Sequence, residues 1–442
     1  MTQLTTSIQK HPKGLYLLFF TEMWERFSYY GMRALLILFL VSEVSKGGLG
    51  WSSVQAGQLY GLYTGFVYVT PLIGGYLADK FLGFRYAVMI GAALMALGHG
   101  SLAFDSMFAF YLGLLLLVLG NGFFKPNISS MVGQLYPEGS PLKDSGYTIF
   151  YMGINIGAFL GILICGYLGE RVGWHYGFGA AGIGMTLGLI LFASLQFMLG
   201  DVGLKPVKVK TVVETKPLTS AEKKRLYVVG ILAFFSMLFW LAFEQAGSSM
   251  NIFALKYTDR QLNWLNFEVP ASWFQTINPL FIFILAPFFS MLWIELAKIN
   301  KNPNGPLKFV AGLFLLGLGF LVLVVGAANI PPGAQSASVS MMWLIFAFLL
   351  HTMGELCLSP MGLSYVNKLS PKHLMGVMFG AWFLAAAVGN YIGGILFGMI
   401  DEIVKTQSIS TFFLIFVFVA WGGVVVLFVL SFKLRDWMHG VK

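Results

Sequence analysis

Charge is what this 442-residue chain has least of: Asp, Glu, Lys and Arg make up 11% of it, against 57% hydrophobic residues. Soluble domains carry about 25% charged residues, so the composition excludes a water-exposed globular fold and implies an integral membrane protein. Cysteine is nearly missing. Cys165 and Cys357 lie in separate apolar stretches, which excludes a disulfide framework and reads as two packed thiols. The six histidines are scattered, with no Cys/His spacing that suits a metal, so neither metal nor cofactor is expected. No Ser/His, paired-Asp or His-Glu-x-x-His arrangement occurs, and no stretch is long and polar enough for a soluble catalytic domain. The chain therefore does not read as an enzyme. It also has no appended sensory or output domain, which argues against a receptor. A cleavable signal peptide is not expected, because the first apolar run carries charges and no small-residue cleavage site follows it. The net charge of +9 is no nucleic-acid footprint, since it collects in alternate loops as the positive-inside rule describes.

What fills the chain is apolar runs. A bilayer-crossing helix needs about 20 predominantly apolar residues, and roughly twelve such runs are present, near 14–41, 51–78, 84–103, 107–135, 145–169, 174–199, 225–248, 272–297, 307–328, 340–366, 372–399 and 410–432. With the N-terminus inside, one set of loops gathers Lys10, Lys13, Lys80, Arg85, Lys143, Lys298, Lys301, Lys308, Lys368, Lys372, Lys433, Arg435 and Lys442. The central loop adds Lys205, Lys208, Lys210, Lys216, Lys223, Lys224 and Arg225, while the other side holds Lys46, Arg171, Lys256, Arg260 and Lys405. Both termini are thus expected in the cytoplasm. The one long polar stretch, 201–224, divides the chain into an N-terminal six-helix bundle over 1–200 and a C-terminal one over 225–442. The expected fold is an all-α integral membrane protein of the major facilitator kind, with twelve transmembrane helices in two six-helix bundles. Gly57, Gly61 and Gly65 of the second helix repeat as Gly153, Gly157 and Gly161 of the fifth, positions that inverted three-helix repeats would pair.

Seven ionisable residues remain inside the spans: Glu22, Glu25, Arg26, Arg33, Lys125, Glu244 and Glu355. A charge near the bilayer centre costs several kcal/mol unless it is paired or faces other helices. Glu22 and Arg26 stand at i, i+4, a favourable orientation for a helical ion pair, and Arg33 follows Arg26 by two turns. The seven come from helices 1, 4, 7 and 10, the equivalent first helices of four inverted three-helix units, which line a central cavity. Such a cavity is bipolar, offering Arg33 and Lys125 to a carboxylate on one side and Glu244 and Glu355 on the other. That suits a zwitterion, the arginine gripping a substrate carboxylate with its fork. Tyr29, Tyr30, Tyr68, Asn155, Gln275, Asn278, Trp240 and Trp382 supply neutral hydrogen-bonding groups and aromatic walls around it. Other carriers on the same scaffold, for nitrate, drugs or single amino acids, stand as alternatives. His99 and His351 read as packing histidines, and Asp79 with Lys80 and Arg85 as a latch in the 2–3 loop.

These segments resemble the proton-dependent oligopeptide transporter family of the major facilitator superfamily. The likeness rests on six motifs in order: Glu22-x-x-Glu25-Arg26 with Phe27-x-Tyr29-Tyr30-Gly31; Gly74-Gly75-Tyr76-Leu77-Ala78-Asp79; Phe123-Phe124-Lys125-Pro126-Asn127; Phe150-Tyr151-x-x-x-Asn155-x-Gly157; Phe243-Glu244-Gln245; and Gly354-Glu355 through Ser359-Pro360. Ala158-Phe159 departs from the usual Ser-Leu of the fourth motif. The resemblance implies a symporter of the bacterial inner membrane, a functional monomer that imports di- and tripeptides with protons and needs no cofactor. Glu22, Glu25, Arg26 and Glu244 would couple protons. Arg33 with Glu244, and Lys125 with Glu355, would form gating salt bridges. The peptide would meet Tyr30, Tyr68, Asn155, Asn278 and Trp382, with Ser359 in the tenth-helix motif beside Glu355. Bacterial members usually carry two further helices between the halves, and the polar segment here is too short to contain them.

Overall fold

The computed structural model describes residues 10–204 and 217–440; Lys205, Lys208, Lys210, Lys216 and Lys442 of the expected cytoplasmic set lie outside them. Among the described residues twelve helices have 19 residues or more: α1 (Lys13–Val41), α2 (Ser53–Leu77), α3 (Phe84–Leu102), α4 (Met107–Gln134), α5 (Leu142–Tyr167), α6 (Trp174–Leu195), α7 (Ser220–Phe243), α9 (Ile277–Lys298), α10 (Gly305–Gly326), α11 (Met342–Leu369), α12 (Met375–Gly398) and α14 (Ile409–Trp437). Two short ones, α8 (Ser249–Tyr257) and α13 (Ile400–Thr406), follow α7 and α12. Among the described residues nine spans are long and apolar enough to cross a membrane; α1, α2 and α3 are not among these. In α1 the reason is plain, since Lys13, Glu22, Glu25, Arg26 and Arg33 interrupt it.

Each expected apolar run is a helix, with shifts where local chemistry overrides hydropathy. Helix α7 starts at Ser220, five residues before the apolar run, because Thr219 and Glu222 form a reciprocal capping box that satisfies first-turn amides. The run expected from 272 begins as a 3-10 turn, Ala271–Thr276, before α9. Two small strand pairs, β1 (Thr258–Asp259) parallel to β4 (Val339–Ser340) and β2 (Gln261–Leu262) antiparallel to β3 (Phe267–Glu268), were not foreseen. Two-residue strands leave almost no period-2 signal in a sequence.

Packing sorts the chain into two compact units, the described residues of Met1–Leu35 with Val69–Val209, and those of Leu36–Tyr68 with Lys210–Lys442. The boundaries therefore fall within α1 and α2. In the first unit α3 packs on α4 and α6. Helices α3 and α4 approach where Gly91 faces the Gly120 carbonyl and Gly98 faces that of Gly113, the close small-residue contact that substitutes for a hydrophobic driving force in lipid. Helix α5 lies on α1 through Gly153, Gly157 and Gly161, whose absent side chains leave room for Phe19, the Met23 carbonyl and the Phe27 carbonyl. Cys165 fills the notch at Gly31 and is a packed thiol, as is the equally buried Cys357. In the second unit α10 packs on α11 and α14, and α7 on α12. The first turns of α2 belong to this unit, with Gly57 against the Gly394 carbonyl and Gly61 against that of Tyr391. The two glycine triplets thus serve different seams, α2 on α12 and α5 on α1.

Candidate functional site

In the first unit the ionisable residues of α1 form one buried cluster. Glu22, Glu25 and Arg26 are each at most 3% exposed. The Arg26 guanidinium stands 3.1 Å from the Glu22 carboxylate and pairs with Glu25 as well. The i, i+4 spacing places Glu22 one turn below Arg26, while Glu25 reaches it from the adjacent position. Two tyrosines cap the cation: the Arg26 guanidinium carbon lies 5.3 Å from the Tyr29 ring centre and 5.9 Å from that of Tyr30. Tyr30 also faces Arg33 at 5.6 Å, so one ring stands between two arginines and lends each its negative π-face. Tyr29 and Arg33 are buried and Tyr30 half-buried.

Lys125 of α4 belongs with this cluster. Its ammonium acts electrostatically on both Glu22 and Glu25. Pro126 follows it inside α4 and removes one backbone donor, leaving the Gly122 carbonyl without its helical partner. Gly74 of α2 packs over that carbonyl and Gly75 over the proline ring. Asn127, Ser129 and Ser130 turn their side chains onto the carbonyls of Phe123, Lys125 and Pro126, so the altered turn is braced on every side. Asn155 of α5 is buried and donates to the Tyr151 carbonyl at 3.0 Å.

Sequence reading missed what holds this cluster in place. A Cβ on Gly157 would collide with the Met23 carbonyl and crowd the Arg26 side chain. Gly157 was legible as a packing glycine; its role as the floor under Arg26 depends on which helix lies opposite, and no spacing states that.

The second unit carries the carboxylates. Helix α7 ends at Phe243, and Glu244 opens a 3-10 turn, Glu244–Gly247, before α8. Gln245 fixes the break: its amide donates to the Gly393 carbonyl at 3.0 Å, and its oxygen accepts from Ser248 at 3.2 Å and Ser249 at 2.8 Å. Glu244 is buried and lies within electrostatic range of Glu355. Glu355 of α11 is half-buried and accepts a 2.9 Å hydrogen bond from Asn278, whose amide also reaches the Thr352 hydroxyl at 3.1 Å. That places Asn278, Glu355 and Thr352 in one cluster, the last unforeseen. Gln275 is buried in the turn before α9, and Tyr68, Trp240 and Ser359 are half-buried. Trp240 packs edge-on to Phe239 and Phe243. Trp382 is buried between Phe309 and the notch at Gly362, a packed wall.

The loop residues separate. Lys80 bonds the Tyr76 hydroxyl at 2.9 Å and lies over the Tyr76 and Phe81 rings. Arg85 turns instead to the carbonyls of Val202, at 2.6 Å, and Gly200. Lys80 therefore stays against the end of α2, and Arg85 ties the turn after α6 to the start of α3. His99 and His351 are buried. The His351 ring lies 4.6 Å from that of Phe320 and against Gly319, a packing environment. Among the described residues no group of His, Cys, Asp and Glu is arranged to hold a metal ion.

Bilayer-length helices whose few charges are gathered in buried interhelical clusters define a polytopic membrane transporter. This chain belongs to the POT family of transporters, whose sequence profile matches residues 85–219 and 204–414. It is 39% identical to the Peptide transporter YePEPT of Yersinia enterocolitica subsp. palearctica serotype O:3 (strain YE-P4), over 451 aligned positions covering 88% of each chain. It is 32% identical to the Di-/tripeptide transporter of Lactococcus lactis subsp. cremoris, over 91% of this chain and 92% of that one. A crystal structure of a peptide transporter POT in complex with sulfate matches with a TM-score of 0.89 at 33% identity, covering 98% of this chain and 97% of the other. The Yersinia alignment has 451 positions for 88% of a 442-residue chain, so that relative holds residues inside the match that this chain lacks. The profile match itself divides at 204–219, where the short connection lies.

Proposed function

We propose that this protein is a proton-coupled symporter that imports di- and tripeptides by alternating access. The observation that carries the reading is the buried Glu22–Glu25–Arg26 cluster with Lys125 in range, in a chain whose relatives are named as peptide and di-/tripeptide transporters. Glu22, Glu25 and Arg26 are proposed to carry the coupling proton, with Glu244 a second protonation site. Protonating Glu244 cancels its charge and frees Arg33 for a substrate carboxylate. The gating pairs Arg33–Glu244 and Lys125–Glu355 rest on the family resemblance. Peptide contacts are assigned to Tyr29, Tyr30, Arg33, Tyr68, Lys125, Asn155, Trp240, Gln275, Asn278, Glu355, Ser359 and Trp382. The Asn278–Glu355 hydrogen bond supports this for two of them, because it orients a carboxylate for a substrate ammonium. The bundles 1–200 and 225–442 are proposed as the moving halves and 201–224 as their cytoplasmic linker. The transporter would act as a monomer in the bacterial inner membrane, with both termini inside and protons as its coupling ion.

Uptake of labelled dialanine into proteoliposomes tests the reading. Accumulation is expected only with an inward proton gradient, competed by excess tripeptide and not by alanine. Absence of accumulation by folded protein, or equal competition by alanine, overturns the assignment to peptides.

A further inference from the structure

A cavity of about 950 Å³ opens between the end of α3 and the start of α6, and none of the residues assigned to transport lines it. Its floor consists of Ala96, Gly100, Gly179 and Gly182, side chains too small to fill the space between the helices. A Cβ placed on Gly100 would meet nothing within 4 Å. Ile183 and Leu187 form an apolar wall. The groove reaches the helix ends, where Phe104 and Tyr176 stand exposed. A tyrosine such as Tyr176 at the end of a spanning helix suits the headgroup level.

Among the lining residues the mouth carries one carboxylate and one histidine, which is cationic only when protonated. Asp105, in the turn between α3 and α4, lines the mouth with its side chain 98% exposed, and neither Lys nor Arg is among the lining residues. His175 is fixed beside it. Its Nδ1 lies 3.1 Å from the Leu102 carbonyl, which can only accept, so Nδ1 donates. In the neutral ring Nε2 then holds the lone pair and offers no proton to the Asp105 carboxylate 3.8 Å away. An open apolar trough on membrane-spanning helices takes an acyl chain, and a carboxylate at its interfacial end complements a cationic headgroup.

We propose that the α3–α6 groove is a binding site for an ethanolamine phospholipid, one acyl chain lying over Gly100 and Gly182 and the ammonium on Asp105. The site is separate from transport and does not depend on the substrate assigned above.

Native mass spectrometry of the whole protein tests it, using detergent-purified material equilibrated with equal amounts of ethanolamine and glycerol phospholipids of identical chains. The unmodified protein is expected to retain the ethanolamine lipid with roughly threefold preference, the size of an exposed ion pair. Asp105→Asn should keep the amount of bound lipid and lose the preference. Gly100→Leu, whose side chain enters the groove and not the helix core, should retain one lipid fewer. Gly179→Leu, which meets only Ala103 at 3.7 Å, repeats the test if the first variant is not monodisperse. Equal retention of both lipids by the unmodified protein overturns the headgroup assignment. An unchanged lipid count in both leucine variants overturns the groove.

Discussion

The Arg26 guanidinium is ion-paired with two carboxylates at once, and both are buried with it. Two carboxylates face one guanidinium, an excess of one negative charge within the trio that a single proton would cancel, which is the arrangement the proposed coupling role calls for. Glu22→Gln or Glu25→Gln is expected to abolish uptake driven by a proton gradient while sparing exchange of peptide for peptide; equal survival of both activities would remove the cluster from coupling. Glu355→Ala should reduce driven uptake and exchange together, because Asn278 loses the carboxylate it donates to, and Lys125→Ala should do the same by leaving Glu22 and Glu25 without their second cation. These residues were visible in the sequence because ionisable groups inside apolar runs need a reason to be there. Thr352 was not, and Gln245 stood in the seventh-helix motif without a role of its own. Gln245 acts through Gly393, 148 positions away, and a hydroxyl in a spanning helix is as often bonded to its own backbone as to a neighbour, which Thr352 also does at the Phe348 carbonyl.

Helices carry the next layer of information, and hydropathy located nearly all of it. Twelve apolar runs became twelve long helices because lipid leaves the backbone no alternative partner within a span. What hydropathy does not specify is which helix lies against which. Both glycine triplets mark close approach, yet α5 uses its triplet on α1 and α2 uses its own on α12. The α5 seam is the tighter constraint on the site. Gly157→Ala should destabilise the protein by about 1–3 kcal/mol through overpacking and depress coupled uptake with it, since the new methyl meets the Met23 carbonyl beside Arg26. Gly230→Ala is the control: nothing lies within 4 Å of its Cβ position, and replacing an exposed helical glycine should stabilise by roughly 0.4–1 kcal/mol. Thermal unfolding in detergent compares the two directly. A neutral Gly157→Ala would mean that the seam has slack.

At the scale of the whole molecule, importing a proton with a zwitterionic peptide moves net positive charge inward. An inside-negative potential should therefore raise the rate and extent of dialanine accumulation at fixed pH, each 100 mV contributing about 2.3 kcal/mol per charge. Proteoliposomes clamped with a potassium diffusion potential measure this, and indifference to voltage would exclude net charge movement. The alternation of Lys and Arg between loops was readable at this scale because it depends on composition alone. Helix α1 raises a different question, that of biogenesis. It is the span most interrupted by ionisable residues, and it is synthesised long before α5 arrives to cover it. Its charges meet that interval already paired, Glu22 and Glu25 with Arg26, on little more than one helical turn. The helix thus brings part of its own neutralisation to the insertion machinery, and the same four-residue spacing proposed to couple protons in the finished transporter pairs charge while the nascent chain enters the membrane.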